Sequence, residues 1–230
     1  MLDSPPPPLP PAARCTGVVL AGGQSVRFGG APKGLLRTGA HRVVDRVLFT
    51  LNAVCDSTLV VAKDPSVLRA ALLGTRVERD VWPAHGSLVG LHAALAFADD
   101  AALVVAWDMP FVTSALLRAL RDAGERGGTA AFPEGPNGVE PLCAYYPRRC
   151  IDVVEGRLAR KDFRLSGLVD ALPDRVVLSI REVEAYGDPA RLFANLNTLA
   201  DLALAAAWLD DDENRRASIL ASIAQPRERP

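Results

Sequence analysis

Two stretches of this 230-residue chain carry residue types at spacings suited to chemistry on phosphates. The first runs from Leu20 to Lys33 as Leu-Ala-Gly-Gly-Gln-Ser-Val-Arg-Phe-Gly-Gly-Ala-Pro-Lys. Glycines set directly after a buried strand let backbone N–H groups turn inward around phosphate oxygens that Cβ atoms would hold off. Arg27 and Lys33 add two cations from the same loop. Facing a triphosphate at contact distance, each contributes roughly 4 kcal/mol gross at an effective dielectric near 20, before desolvation. The loop fits neither the Gly-x-x-x-x-Gly-Lys-Ser/Thr nor the Gly-x-Gly-x-x-Gly pattern, so neither template transfers. Glycines alone would describe an idle loop. Strand, glycines, Arg and Lys together select a nucleotide-binding one, with Leu20, Ala21, Gly22 and Gly23 along the nucleotide and Arg27 and Lys33 offsetting its charge.

The second stretch is Trp107-Asp-Met-Pro-Phe111, straight after the apolar run Ala101 to Ala106. A carboxylate at the carboxyl end of a parallel strand projects into the crevice where open α/β sheets bind ligands. One hard oxygen there can hold Mg²⁺ together with substrate phosphates, the usual way that ion is bound. A lone aspartate after a strand is also a common helix cap, but the register of Asp108 with the glycine loop favours the metal ligand. Asp80 follows a weaker strand and precedes the turn-rich run Trp82 to Gly90, where Gly86 and Gly90 would let backbone approach a base. Ser87 in that run reads equally as a cap. Asn195 and Asn197 precede the last helical segment; their amides read as turned to a metal or phosphate at a second site, or else Asn197 and Thr198 only terminate and cap. His85 and His92 accompany no nucleophile motif and read as surface or satisfied core residues.

The elements that must position these groups follow from hydrophobic patterning. Cys15 to Ala21, Ser57 to Ala62 and Ala101 to Ala106 are short continuous apolar runs, as in strands buried on both faces, and Arg76 to Glu78 is a weak fourth. Between them lie helical stretches: His41 to Val54 with Val44, Val47, Leu48 and Leu51 on one face, Asp64 to Leu73 capped by Asp64 with Pro65 at its first position, the Ala/Leu-rich Ser87 to Phe97, and Thr113 to Ala123 with Thr113 as cap. Beyond Gly127 strands are expected at Thr129 to Phe132, Leu142 to Tyr146 and Val176 to Ile180, and helices near Pro147 to Leu158, Leu165 to Ala171 and Leu199 to Leu209. Strands alternating with helices predict a three-layer α/β/α, Rossmann-like fold around a mainly parallel sheet. The expected organisation is a disordered proline-rich tail over 1–13, one domain over 14–209 and a charged helix or tail over 210–230.

Composition narrows the class. The 26 basic and 27 acidic residues leave a net charge of −1, so no basic excess exists to hold a nucleic acid by its phosphates. No apolar run reaches the length of about 18 residues that a membrane span needs. The proline-rich start lacks the basic region of a secretory signal. The four cysteines form neither a Cys-x-x-Cys pair nor a Cys/His cluster of zinc spacing, and read as reduced thiols of a cytoplasmic protein.

The glycine loop resembles the amino-terminal hallmark of the nucleotidyltransferases that include the molybdenum cofactor guanylyltransferases. Gly86-Ser-Leu-Val-Gly-Leu91, Asp108-Met-Pro-Phe111, Glu140-Pro-Leu142 with Tyr145-Tyr146, and Asn195-Leu-Asn-Thr198 followed by Asp201-Leu202 are similar, in order, to further segments of that branch. The resemblance spans roughly residues 15 to 205 and implies transfer of GMP from GTP to the phosphate of molybdenum-molybdopterin, with release of pyrophosphate. It implies Arg27, Lys33 and Asp108 as the catalytic group, Mg²⁺ on Asp108, and the nucleotide against Leu20, Ala21, Gly22, Gly23, Lys33, Asp80, Gly86, Gly90 and Asp108. Expected partners are GTP, molybdenum-molybdopterin and the maturation proteins of molybdoenzymes. The chain departs from the family's pattern at Pro32, where guanylyltransferases usually carry Asp, at Ser87 and Leu199 in place of prolines, and at Lys63 where Asn is often found. These departures leave a cytidylyltransferase using CTP as the nearest alternative. A sugar-nucleotide pyrophosphorylase, and a binding module without catalysis, are the further ones.

Overall fold

The computed structural model describes residues 13–22, 33–165 and 167–209. Ala13 apart, both expected tails lie outside them, as do Gly23 and Arg27. The sheet is built from β1 (Cys15–Ala21), β4 (Ser57–Ala62), β5 (Arg76–Arg79), β6 (Ala101–Ala106), β7 (Ala130–Gly135), β9 (Cys143–Pro147) and β10 (Arg175–Leu178). Their order across it is β10-β7-β9-β6-β1-β4-β5, with β8 (Gly138–Val139) paired to β7. A small antiparallel hairpin of β2 (Arg37–Thr38) and β3 (His41–Arg42) stands apart.

Strand β1 lies between β4 and β6, parallel to both, and β4 continues parallel to β5. Its side chains alternate between two cores: Cys15, Val19 and Ala21 fall in one cluster, Val18 and Leu20 in the other. Burial on both faces is why β1 and β6 read as continuous apolar runs rather than alternating ones. On the first face pack α1 (Val43–Asn52), through Val44, Val47, Leu48 and Leu51, and α4 (Ser114–Gly127), through Leu116, Leu117 and Leu120. On the other lie α3 (Ser87–Phe97), whose Leu88, Leu91 and Leu95 are fully buried, and α5 (Cys150–Ala159) with Val154 and Leu158. The three layers are those the patterning predicts.

The differences have local causes. Strand β9 is antiparallel to both β6 and β7, so the sheet is mixed where only its parallel part is legible. Helix α2 (Ser66–Ala71) starts later than expected: the Asp64 carboxylate accepts from the Ser66 N–H at 3.1 Å and its hydroxyl at 2.7 Å, leaving Pro65 as a flanking residue. Thr113 caps α4 by accepting from Leu116 N–H at 3.3 Å, and the helix ends at Gly128 with φ +55°. Helix α6 (Leu168–Ala171) is shorter than expected. The short helices α7 (Ile180–Glu184) and α8 (Pro189–Leu192) have no expected counterpart; a Ser179/Glu182 capping box and an Asp188 cap with Pro189 start them. The last described helix, α9, spans 199–209.

Candidate active site

The parallel strands end side by side, and the chain leaving β4, β5 and β6 turns away to a helix. The crevice this opens is a cleft of about 620 Å³. Leu20, Ala21 and Gly22 from the end of β1 line it, with Asp80 after β5, Gly86 and Gly90 at the start of α3, Asp108 after β6, and Asn195. Gly90 is close to β1, since a Cβ there would lie 3.6 Å from a Leu20 methyl. Gly86 has φ +143°, and a Cβ would fall 2.5 Å from the Phe163 carbonyl oxygen, so a larger residue would disturb the mouth of the cleft.

Behind the cleft-lining Asp108, three segments remote in sequence meet. The Lys33 ammonium donates to Asp108 Oδ2 at 2.5 Å and to Asn197 Oδ1 at 2.9 Å. The pair is largely shielded, with side-chain exposures of 14% and 11%. A 3-10 turn, Lys33–Leu35, holds the lysine by lying flat on the neighbouring tryptophan: a Cβ on Gly34 would sit 2.3 Å from the Trp107 ring. Backbone completes the arrangement, as Trp107 N–H donates to Leu20 C=O at 3.2 Å and Leu196 N–H to Asp108 C=O at 3.1 Å.

Asn197 is not spent as a cap. Thr198 accepts from Asp201 N–H at 3.1 Å, and the Asp201 carboxylate accepts from the N–H groups of Asn197 and Thr198, each at 2.8 Å. That reciprocal box starts α9 and leaves the Asn197 amide oxygen aimed at Lys33. Asn195 is less committed; its amide donates to Phe193 C=O at a long 3.4 Å.

The far wall holds charged groups that the sequence patterning left unassigned. Lys63, the residue after β4, lines the cleft with its Nζ 3.2 Å from His85 Nε2, and His85 lines it too. Asp80 stands near them; burial pushes its carboxyl above the usual range, while the neighbouring His85 and Lys63 pull the other way. The signal for Lys63 was its place after a strand in register with β1; the loop that brings His85 across has no periodic pattern. His92, in contrast, is buried on α3, 3.0 Å from Glu155 and edge-on to Trp82.

The donor set is made of hard oxygens, an Asp carboxylate and Asn amides, beside one ammonium. Among the described residues no group of three or more His, Cys, Asp or Glu side chains could hold a metal by itself. An ion held here would take most of its ligands from a bound phosphate chain and water, the habit of Mg²⁺.

The model of the MobA-like NTP transferase domain matches residues 17–176. A molybdenum cofactor guanylyltransferase of Desulfosudis oleivorans is 35% identical over 84% of this chain and 94% of its own length. A probable molybdenum cofactor guanylyltransferase of Pelotomaculum thermopropionicum is 34% identical over 88% and 97%. Among solved structures, the molybdopterin-guanine dinucleotide biosynthesis protein A of Archaeoglobus fulgidus superposes with a TM-score of 0.73 at 26% identity, covering 85% of this chain and 99% of that one. In fold alone the chain is also similar to a 4-diphosphocytidyl-2C-methyl-D-erythritol synthase of Anaerococcus prevotii, with a TM-score of 0.64 at 15% identity over 86% and 97%.

Proposed function

The chain belongs to the MobA-like NTP transferase family, and from that membership we propose that it transfers GMP from GTP to the terminal phosphate of molybdenum-molybdopterin. The products are molybdopterin guanine dinucleotide and pyrophosphate. The observation that carries the reading is the contact of Lys33 with both the cleft-lining Asp108 and Asn197, which gathers a cation, a carboxylate and an amide oxygen around one point.

In the reaction a phosphate oxygen of the acceptor forms a new P–O bond to the α-phosphorus while the bond from that phosphorus to the pyrophosphate oxygen breaks. A phosphate monoester is already ionised near neutral pH, its second pKa being about 6, so no side chain need act as general base. The chain's work is to position and to neutralise. The end of β1 and its glycine loop cradle the nucleotide, Lys33 and Arg27 offset its negative charge, and Asp80, Gly86 and Gly90 contact the nucleoside. Asp108, helped by the Asn197 oxygen, would hold Mg²⁺, which when bound draws charge from the α-phosphate. Asn195 and Asn197 face the acceptor side. The unit over 14–209 acts as one catalytic domain working in the cytoplasm, and the product passes to molybdoenzyme-maturation proteins. Among the described residues no helix is long and apolar enough to cross a membrane.

Thermal denaturation with Mg²⁺ and each triphosphate tests this, because a ligand bound only by the folded chain raises the melting temperature by mass action. GTP at about 100 times its Kd adds about 2.7 kcal/mol, a rise of several degrees. CTP, ATP and UTP at the same concentration give little. Incubation with molybdopterin then yields the guanine dinucleotide. Protection by CTP and formation of the cytosine dinucleotide would overturn the assignment.

A further inference from the structure

We propose that Lys63, steadied by His85, reads the nucleotide base by donating to the carbonyl oxygen at position 6 of guanine, beside Asp80. The inference rests on the GTP-dependent reading above and adds the groups that choose the base.

Strand order sets the geometry. Asp108 follows β6, the glycine loop follows β1, Lys63 follows β4 and Asp80 follows β5, and these four strands are neighbours in that order. Adjacent strands are about 4.8 Å apart, so the ends of β6 and β5 lie about 14 Å from each other. A nucleotide whose phosphates meet Lys33 and Asp108 therefore extends its base across β1 towards the ends of β4 and β5, where Lys63 and Asp80 stand.

The chemistry of that wall is one ammonium and one carboxylate lining the same cleft. Among the described residues neither Lys63 nor Asp80 makes an ion pair within 4.0 Å, so the two charges are not spent on each other. The edge of guanine presents one acceptor, O6, next to two donors, N1–H and the 2-amino group, which suits an ammonium next to a carboxylate. Cytosine and adenine would bring an amino group against the lysine instead. Burial raises the pKa of Asp80, a cost that a ring donating to the carboxylate would offset.

His85 supplies the order that a flexible lysine lacks. With Nε2 accepting from Nζ at 3.2 Å, one ammonium proton is fixed and two remain for a ligand. His85 is thus a positioning residue and Lys63 the group that touches substrate.

The test is equilibrium binding of GTP, 6-thio-GTP and ITP with Mg²⁺ to the full chain and to Lys63→Met, Lys63→Arg, His85→Gln and His85→Phe. Lys63 is exposed, so its variants fold. Sulfur is a poor acceptor, and the wild-type chain should bind 6-thio-GTP about tenfold more weakly than GTP, the scale of one hydrogen bond to a charged group. In Lys63→Met GTP weakens and the two affinities converge, while the penalty for ITP, which lacks the 2-amino group, stays as in wild type. Lys63→Arg and His85→Gln keep the preference for oxygen over sulfur, and His85→Phe loses most of it. An equal weakening of GTP and 6-thio-GTP in Lys63→Met, as a phosphate contact would give, overturns the proposal, as does wild-type affinity in that variant. A wild-type chain preferring CTP would instead overturn the guanylyl reading itself, before any variant is compared.

Discussion

Lys33 shares its protons between two oxygens, Asp108 Oδ2 at 2.5 Å and Asn197 Oδ1 at 2.9 Å, so each partner's loss changes what the ammonium can offer a phosphate. Asp108→Ala removes the carboxylate but keeps the backbone carbonyl that accepts from Leu196 N–H. The variant should keep its melting temperature within a few degrees and lose transfer by about 10²–10³, the scale of one transition-state contact. Pyrophosphate release measured with GTP, Mg²⁺ and molybdopterin checks it, and undiminished release would remove Asp108 from the mechanism. Lys33 and Asp108 were legible because each follows an unmistakable buried strand. Asn197 was ambiguous for a physical reason: Asn197 and Thr198 before a helix both read as terminating caps, and only the fold leaves that role to Thr198 with Asp201 while the Asn197 amide oxygen accepts from Lys33. Lys63 and His85 were not legible as a pair, since their meeting depends on the path of the loop after β5.

Two elements approach others so closely that only glycine fits between them, and they separate stability from function. A Cβ on Gly124 of α4 would lie 2.0 Å from the Tyr145 ring on β9, and one on Gly34 would lie 2.3 Å from Trp107. Each Gly→Ala change overpacks a buried contact and should cost about 1–3 kcal/mol in denaturant unfolding. Only Gly34→Ala displaces the turn that carries Lys33, so it alone should also weaken GTP binding. Equal GTP affinity in the two variants would show that Trp107 does not position the lysine. The contacts were invisible in sequence because the glycines sit in unremarkable surroundings. The direction of β9 was equally hidden: its apolar run Cys-Ala-Tyr-Tyr is the same read along either sense of a buried strand. The long helices, in contrast, announced themselves by period, and Thr113 announced the start of α4.

At the scale of the whole molecule, the three layers were legible because runs buried on both faces admit few other folds, while the mixed sheet required knowing which strands pair. Acid should unfold the protein by releasing specific carboxylates. The backbone N–H of Cys15, with Arg121 nearby, holds the Asp56 carboxyl below its usual value. Burial opposes the same shift at Asp45, but the hydrogen bonds and charge of Arg42 win. A lowered pKa in the folded chain means that the stability is present at neutral pH and fades as pH falls through and below 3.8, where the unfolded chain takes up protons first. Asp80 and Glu140 have the opposite sign, since burial raises both and their protonation favours the folded form. Melting temperature should therefore hold from neutral to mildly acid pH and drop below about 4. Asp56→Asn should shallow that drop; a melting temperature still rising at pH 3 would contradict the balance.

The reversed run of β9 also has a bearing on biosynthesis. Residues 15–106 supply the parallel block β1, β4, β5 and β6, whereas the strand that seals the outer side of β6 is not synthesised until 143–147. Emerging from a ribosome, the chain would complete the parallel block first and carry β6 for a time with a bare row of N–H and C=O groups. That interval is when a stray strand from another nascent copy would find its partner. The edge of β6 that β9 later covers is thus a place where expression of this protein is open to failure.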